Sequence, residues 1–300
     1  MGALMPLMAG LWLLLSSVAA PAGERLPAGA LHVIEITPAN VAELEAAFQT
    51  HGLHWPIEPE QTIPPLEVKR LPPDFPQIHD IPRRKGLFVR VVLPLALMEN
   101  QRLREQRALA ELFLRYPPER LGTRYRAWLE RLMDDYRIPR QWDFQRRGRE
   151  LMVRLDEVPV ELVVAQAAME SGWGTSRFAL HGNALFGQWT WSGPGLRPSE
   201  ADPDSTHKVR AFPSLRASLR AYLHNLNSGR AYARFRALRA ELRAGGQVLD
   251  PERLAQGLEA YSARGMAYVR ELERMLRRPE LARLGRVSLL LGSTARPIPG

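Results

Sequence analysis

Chemically capable side chains gather between Ala165 and Gln188, with Glu170 foremost among them. Residues 160–169 are apolar almost all round, the pattern of a buried helix, and Glu170 stands at its end just before Ser171-Gly172, a helix stop. A carboxylate there meets the partial negative charge of the helix C-terminus and low-dielectric surroundings. Both favour the protonated form. An acid that keeps its proton near neutral pH is what a leaving oxygen needs, as in glycoside hydrolysis. After Glu170 come Gly172-Trp173-Gly174 and then Asn183-Ala184-Leu185-Phe186-Gly187-Gln188-Trp189, an amide and several aromatics between glycine turns. Flat apolar faces beside hydroxyl-pairing groups suit a sugar-binding cleft. Trp173 is expected in the core, and Trp189 or Trp191 nearer the cleft.

Other chemistries find less support. His51-Gly52-Leu53-His54 has a ligand-like spacing but no third ligand, so no metal is expected. Ser171 follows a helix rather than a strand and lacks a nucleophile elbow. No phosphate loop or dinucleotide fingerprint is present, and no cofactor is expected. The absence of cysteine excludes disulfides, thiolate sites and a lipidated N-terminal Cys.

The elements that must position these residues read as mainly α. Val33 lies in a short strand reading, 32–36, and residues 41–50 form a short helix after Asn40. Residues 59–82 carry seven prolines and read as an extended strap whose Leu66, Val68, Leu71, Phe75 and Ile78 pack along a domain. From Gly86 the apolar spacing turns helical, with Pro94 predicting a kink or two helices. Further helices are expected over 125–136, 214–227, 231–244 and 251–277, and an irregular lobe or small hairpin over 186–212. The expected organisation is a Pro-rich segment at 23–85, a helical extension at 86–150, a domain at 151–278 and a loose tail at 279–300. Met1 to Ala22 has no charged side chain and ends in Ala20-Pro21-Ala22, the form of an export signal, or of a retained anchor. Either places the remainder outside the cytoplasm. The excess of 41 Lys+Arg over 32 Asp+Glu, net +9, favours polyanionic partners without choosing among them, and no nucleic-acid motif accompanies it.

Taken together, Ala165-Gln166-Ala167-Ala168-Met169-Glu170-Ser171-Gly172-Trp173-Gly174-Thr175-Ser176 and Asn183-Ala184-Leu185-Phe186-Gly187 resemble the signature of the peptidoglycan N-acetylglucosaminidases of glycoside hydrolase family 73. Arg177-Phe178-Ala179, Gly187-Gln188-Trp189, Val209-Arg210-Ala211-Phe212 and residues 258–269 make the likeness strongest to the Bax-type glucosaminidase-domain proteins. It runs over residues 159–277 and more weakly back to Phe75. The resemblance implies a lysozyme-like helical domain with a small irregular or hairpin lobe. It implies an endo-β-N-acetylglucosaminidase that cuts the β-1,4 bond between N-acetylglucosamine and N-acetylmuramic acid in the cell envelope or periplasm. Glu170 matches the family's general acid and Tyr261 its active-site tyrosine; Asn183, Phe186, Gly187, Trp189 and Tyr222 match substrate contacts. The second carboxylate is expected among Glu200, Asp202 and Asp204, with Glu200 taken first. Two departures stand out: Ala184 replaces an Asn, and residues 189–196 lack the cysteine pair usual in the Bax-type loop. These departures lend weight to the alternative of a weak or inactive glycan-binding scaffold. The expected partner is peptidoglycan, met by a monomer that is peripheral to or anchored in a membrane, with no nucleic acid.

Overall fold

In the computed structural model, residues 31–197 and 208–291 are described. In chain order these comprise β1 (Ile34–Ile36), α1 (Val41–Thr50), β2 (Thr62–Ile63), β3 (Leu66–Val68), α2 (Ile81–Leu114), α3 (Thr123–Asp135) and α4 (Phe144–Arg154). Next come α5 (Val160–Ser171), α6 (Arg177–Gly182), β4 (Trp189–Thr190), β5 (Gly195–Leu196) and β6 (Lys208–Arg210). The series closes with α7 (Leu215–Ser228), α8 (Ala233–Ala244), α9 (Pro251–Ala255), α10 (Met266–Leu276), α11 (Pro279–Ala282) and β7 (Ser288–Leu289). The architecture is mainly α with a small β lobe.

α5 is the central rod. Val160, Leu162 to Ala168 and Ser171 are all buried, and α2, α9, α10 and α11 pack around it. An all-apolar helix needs neighbours on every side, and this one has them. Its start is fixed by polar clamps rather than by a capping side chain. Asn100 of α2 gives Nδ2 to the Val158 carbonyl at 2.7 Å and takes the Val158 N–H at 3.2 Å. The fully buried Arg239 of α8 donates to the carbonyls of Val153, Arg154, Asp156 and Glu157 and to Asn227 Oδ1. Five carbonyl-type acceptors on one guanidinium satisfy a turn that would otherwise bury bare carbonyls.

The strap is held by the same core. Leu66, Val68, Leu71, Phe75 and Ile78 are buried, and β3 pairs in parallel with β1. Gly174, with φ +82, lies where a Cβ would come within 3.1 Å of Leu71, Phe88 and Phe75. Only glycine lets the chain after α5 approach the strap and α2 so closely.

Three expectations are corrected. Pro94 lies inside one continuous helix, α2, rather than dividing two; α2 packs on α5 and α7, so residues 86–150 share one core with the helices of residues 151–278. Residues 251–277 form two helices joined by a 3-10 turn at Glu259–Tyr261. Gly257 abuts the Phe235 backbone, 2.4 Å from where its Cβ would stand, and Gly265 has φ +52; both break the helix. Residues 279–291 are not loose: α11 is followed by a 3-10 turn, and β7 pairs in parallel with β2. Residues 292–300 and the export or anchor segment 1–22 lie outside the described residues.

Candidate active site

Glu170 emerges from the end of α5 into a cleft of about 790 Å³. Gly172, left-handed at φ +58, caps the helix there, and the Ser171 hydroxyl accepts the Gly174 N–H at 2.9 Å. Burial pushes the Glu170 carboxyl above the ordinary carboxylate range. A hydrogen bond with the Tyr268 hydroxyl and the nearby Arg264 pull it the other way, while Glu271 adds to the rise; burial wins.

The carboxyl is held by a chain of buried hydrogen bonds. Gln166, one turn before it on α5 and wholly buried, donates Nε2 to the Tyr268 hydroxyl at 2.9 Å. The Tyr222 hydroxyl donates to Gln166 Oε1 at 2.5 Å. Tyr222, Gln166 and Tyr268 therefore run as one series of hydroxyl and amide links with no cation in it, and the Tyr268 end acts on the Glu170 carboxyl. Around them the rings stack: Phe186 lies on Tyr222 at 3.8 Å and 6°, and Tyr261 on Tyr268 at 5.4 Å and 14°. Tyr261 also meets Tyr222 edge-on at 6.4 Å and Tyr232 at 6.1 Å. Burial, joined by the charge of Glu170, raises the Tyr261 hydroxyl well above its usual value, so it stays a neutral phenol. It makes no hydrogen bond among the described residues and is available to a ligand.

The break between α9 and α10 makes this possible. Tyr261 leaves the 3-10 turn toward the cleft, while Tyr268 is carried on α10 beneath it.

The cleft lining contains Glu170, Tyr261, Phe186, Gly187, Trp189 and Tyr222. Their roles in it differ. Trp189, on β4 of the β4-β6-β5 sheet, is half-exposed. Phe186 and Tyr222 are almost fully buried. Trp191 is 75% exposed and does not line the cleft. Trp173 is partly buried against Phe88, with Lys85 over its ring.

Asn183 stands apart from these residues. It is not in the lining; it ends α6 in a left-handed conformation and gives Nδ2 to the Phe212 carbonyl at 3.0 Å, with Oδ1 buried and unpartnered. It ties α6 to the segment that follows β6. Ala184 is buried against Val209 and Phe212, so the methyl fits an apolar satellite core rather than leaving a gap in the cleft. Glu200, Asp202 and Asp204 lie outside the described residues.

Four lining or supporting residues, Gln166, Tyr232, Asn225 and Tyr268, are not singled out by the sequence, although Gln166 and Tyr268 fall within the stretches that carry the family resemblance. Gln166 comes nearest to an exception, a lone amide inside an apolar helix four residues before Glu170, which is the spacing that shares a helix face.

Comparisons with known proteins cover the same stretch of chain. Residues 149–281 match the glucosaminidase family model, described as mannosyl-glycoprotein endo-beta-N-acetylglucosaminidase. Those residues are a glucosaminidase-family domain. The chain is also 32% identical over 188 residues to Protein bax of Escherichia coli (strain K12), covering 62% of this chain and 66% of that protein, just under two thirds of its length. No solved structure matches. The glucosaminidase domain thus takes in α5, the cleft and both tyrosines of the α9–α10 break.

Proposed function

We propose that the protein is a peptidoglycan hydrolase, an endo-β-N-acetylglucosaminidase that cleaves the β-1,4 bond between N-acetylglucosamine and N-acetylmuramic acid. The carrying observation is a carboxyl with a raised pKa, fixed by a tyrosine hydroxyl, opening into a tyrosine- and tryptophan-lined cleft within a glucosaminidase-family domain. Glu170 acts as the general acid. As the bond from the anomeric carbon to the glycosidic oxygen breaks, its proton passes to that oxygen, and a water molecule completes the reaction at the anomeric carbon. Tyr261 offers a neutral hydroxyl toward the reacting sugar, and Trp189 a face for a neighbouring ring. Glu200 is proposed as the second carboxylate; it belongs to the segment between β5 and β6, whose sheet also carries Trp189.

No helix among the described residues is long and apolar enough to cross a membrane. Action in the cell envelope, with residues 1–22 as export signal or anchor, follows from the proposed substrate. The alternative of an inactive glycan-gripping scaffold loses the support that Ala184 lent it, because that position faces the satellite core. The test is the product. Purified peptidoglycan digested by the protein, then reduced with borohydride, should yield N-acetylglucosaminitol at the new chain ends. Muramicitol ends, or none, would refute the reading.

A further inference from the structure

The lining of the same cleft also includes four arginines, Arg102, Arg137, Arg210 and Arg220, against two carboxylates, Glu170 and Asp135. Two of these arginines are fixed before any ligand arrives. The buried Glu99 carboxylate accepts from Arg102 Nε at 2.8 Å and from Arg220 Nε and Nη2 at 2.9 and 2.8 Å. Arg216 is drawn to the same carboxylate. One negative charge therefore anchors three guanidiniums, and Glu67 takes a share of Arg216 only. Arg102 spends Nη1 on Gln106; its Nη2 and Arg220 Nη1 remain unspent among the described residues. Arg137 and Arg210 are exposed, with no carboxylate partner among the described residues; Arg210 lies 4.8 Å over the Phe212 ring. His224, in the same lining, is pushed toward its neutral form by burial and offsets nothing.

Hydroxyls, amides and aromatic faces suffice for a neutral polysaccharide, which carries no charge to match an excess of guanidiniums. Guanidinium groups match carboxylates in planar, two-point hydrogen bonding. We infer that this arginine wall binds the carboxylates borne by the side groups of the glycan, the lactyl group or the peptide attached to it. On that basis the protein tells wall glycan from a neutral strand of the same sugars. The inference rests on the proposed peptidoglycan substrate. It adds a subsite whose chemistry is separate from bond cleavage.

The experiment uses the full chain carrying Glu170→Gln, so that ligands stay intact, and reads affinity by calorimetry at low salt. Three soluble ligands of equal sugar count are compared: an N-acetylglucosamine oligomer, glycan stripped of its peptides, and peptide-bearing glycan. At least one carboxylate-bearing ligand should bind about tenfold more tightly than the neutral oligomer, the scale of one charge-assisted hydrogen-bonded pair. Adding Arg137→Ala with Arg210→Ala should cut that preference to about twofold or less. Tight binding of the stripped glycan assigns the lactyl carboxylate; tight binding of the peptide-bearing strand alone assigns the peptide. Equal affinity for all three, or a preference undiminished by the double substitution, overturns the inference. Because the readout is binding by a catalytically blocked chain, a wild-type protein that fails to hydrolyse would remove the proposed reaction and leave this comparison intact.

Discussion

Glu99 and Glu170 are both acids withdrawn from water within one core, and their surroundings drive them in opposite directions. Glu99, on α2, suffers the larger burial but faces three arginines, which hold its carboxyl down at about 2. Glu170, on α5, is met mainly by tyrosines and an amide, and its carboxyl rises. Guanidiniums outweigh desolvation where a phenol hydroxyl does not. The first arrangement makes a structural anchor; the second suits the proton-donor role proposed for Glu170. The molecule keeps them apart by giving the cations to α2 and α7 and the hydroxyls to α7 and α10.

Exchanging the two acids for amides tests that contrast most sharply. Glu170→Gln should lower turnover of peptidoglycan by about 10²–10⁴-fold, the range for loss of a general acid, measured as released reducing ends. Its melting temperature at pH 7 should hold or rise. A group whose folded pKa is raised favours the fold only while protonated, so that contribution fades as pH climbs through the folded value. The intact Glu170 is therefore a cost at neutral pH.

Glu99→Gln should do the reverse. Removing the anion from three arginines should cost about 3–5 kcal/mol, read by denaturant or thermal unfolding. The sign with pH follows from the depressed value. The stability Glu99 contributes is present above its ordinary 4.5 and is lost as pH falls toward about 2. Wild type should therefore lose stability across that window, and Glu99→Gln should show a flatter acid limb. A variant that melted like wild type would break the comparison.

Tyr268→Phe sharpens it on the other side. The hydroxyl favours the ionised form of Glu170, so its removal should raise that carboxyl further. The alkaline limb of kcat/KM should move to higher pH while kcat falls, since the Gln166 link to the carboxyl is cut. A purely structural role would lower activity without moving the limb. Asn183→Ala should have the smallest effect, about 1 kcal/mol of stability for its lost bond to Phe212, with KM for peptidoglycan nearly unchanged; a large rise in KM would return Asn183 to the cleft.

Local sequence reached α5, its stop at Gly172 and the strap, because apolar runs and glycine and proline signals are properties of adjacent residues. Residue type and position made Glu170, Phe186 and Trp189 candidates, while Tyr261 came through the family pattern alone. The features it missed depend on contacts between distant segments. The apolar periodicity runs on across Gly257 and Gly265, and the break shows only in the Phe235 backbone packed on Gly257 and the left-handed φ of Gly265. Asn183 is polar and lies in the motif, yet its partner is a carbonyl 29 residues on. Gln166 and Tyr268 meet across 102 residues, and no local signal announces that pairing.

The general-acid role of Glu170 is tested most directly by leaving-group dependence. Wild type and Glu170→Gln should be compared on natural glycan and on an aryl glycoside of an N-acetylglucosamine oligomer whose phenol departs without protonation. With that role, Glu170→Gln is crippled on glycan and retains most of the wild-type rate of bond cleavage on the aryl substrate. Equal loss on both would contradict it.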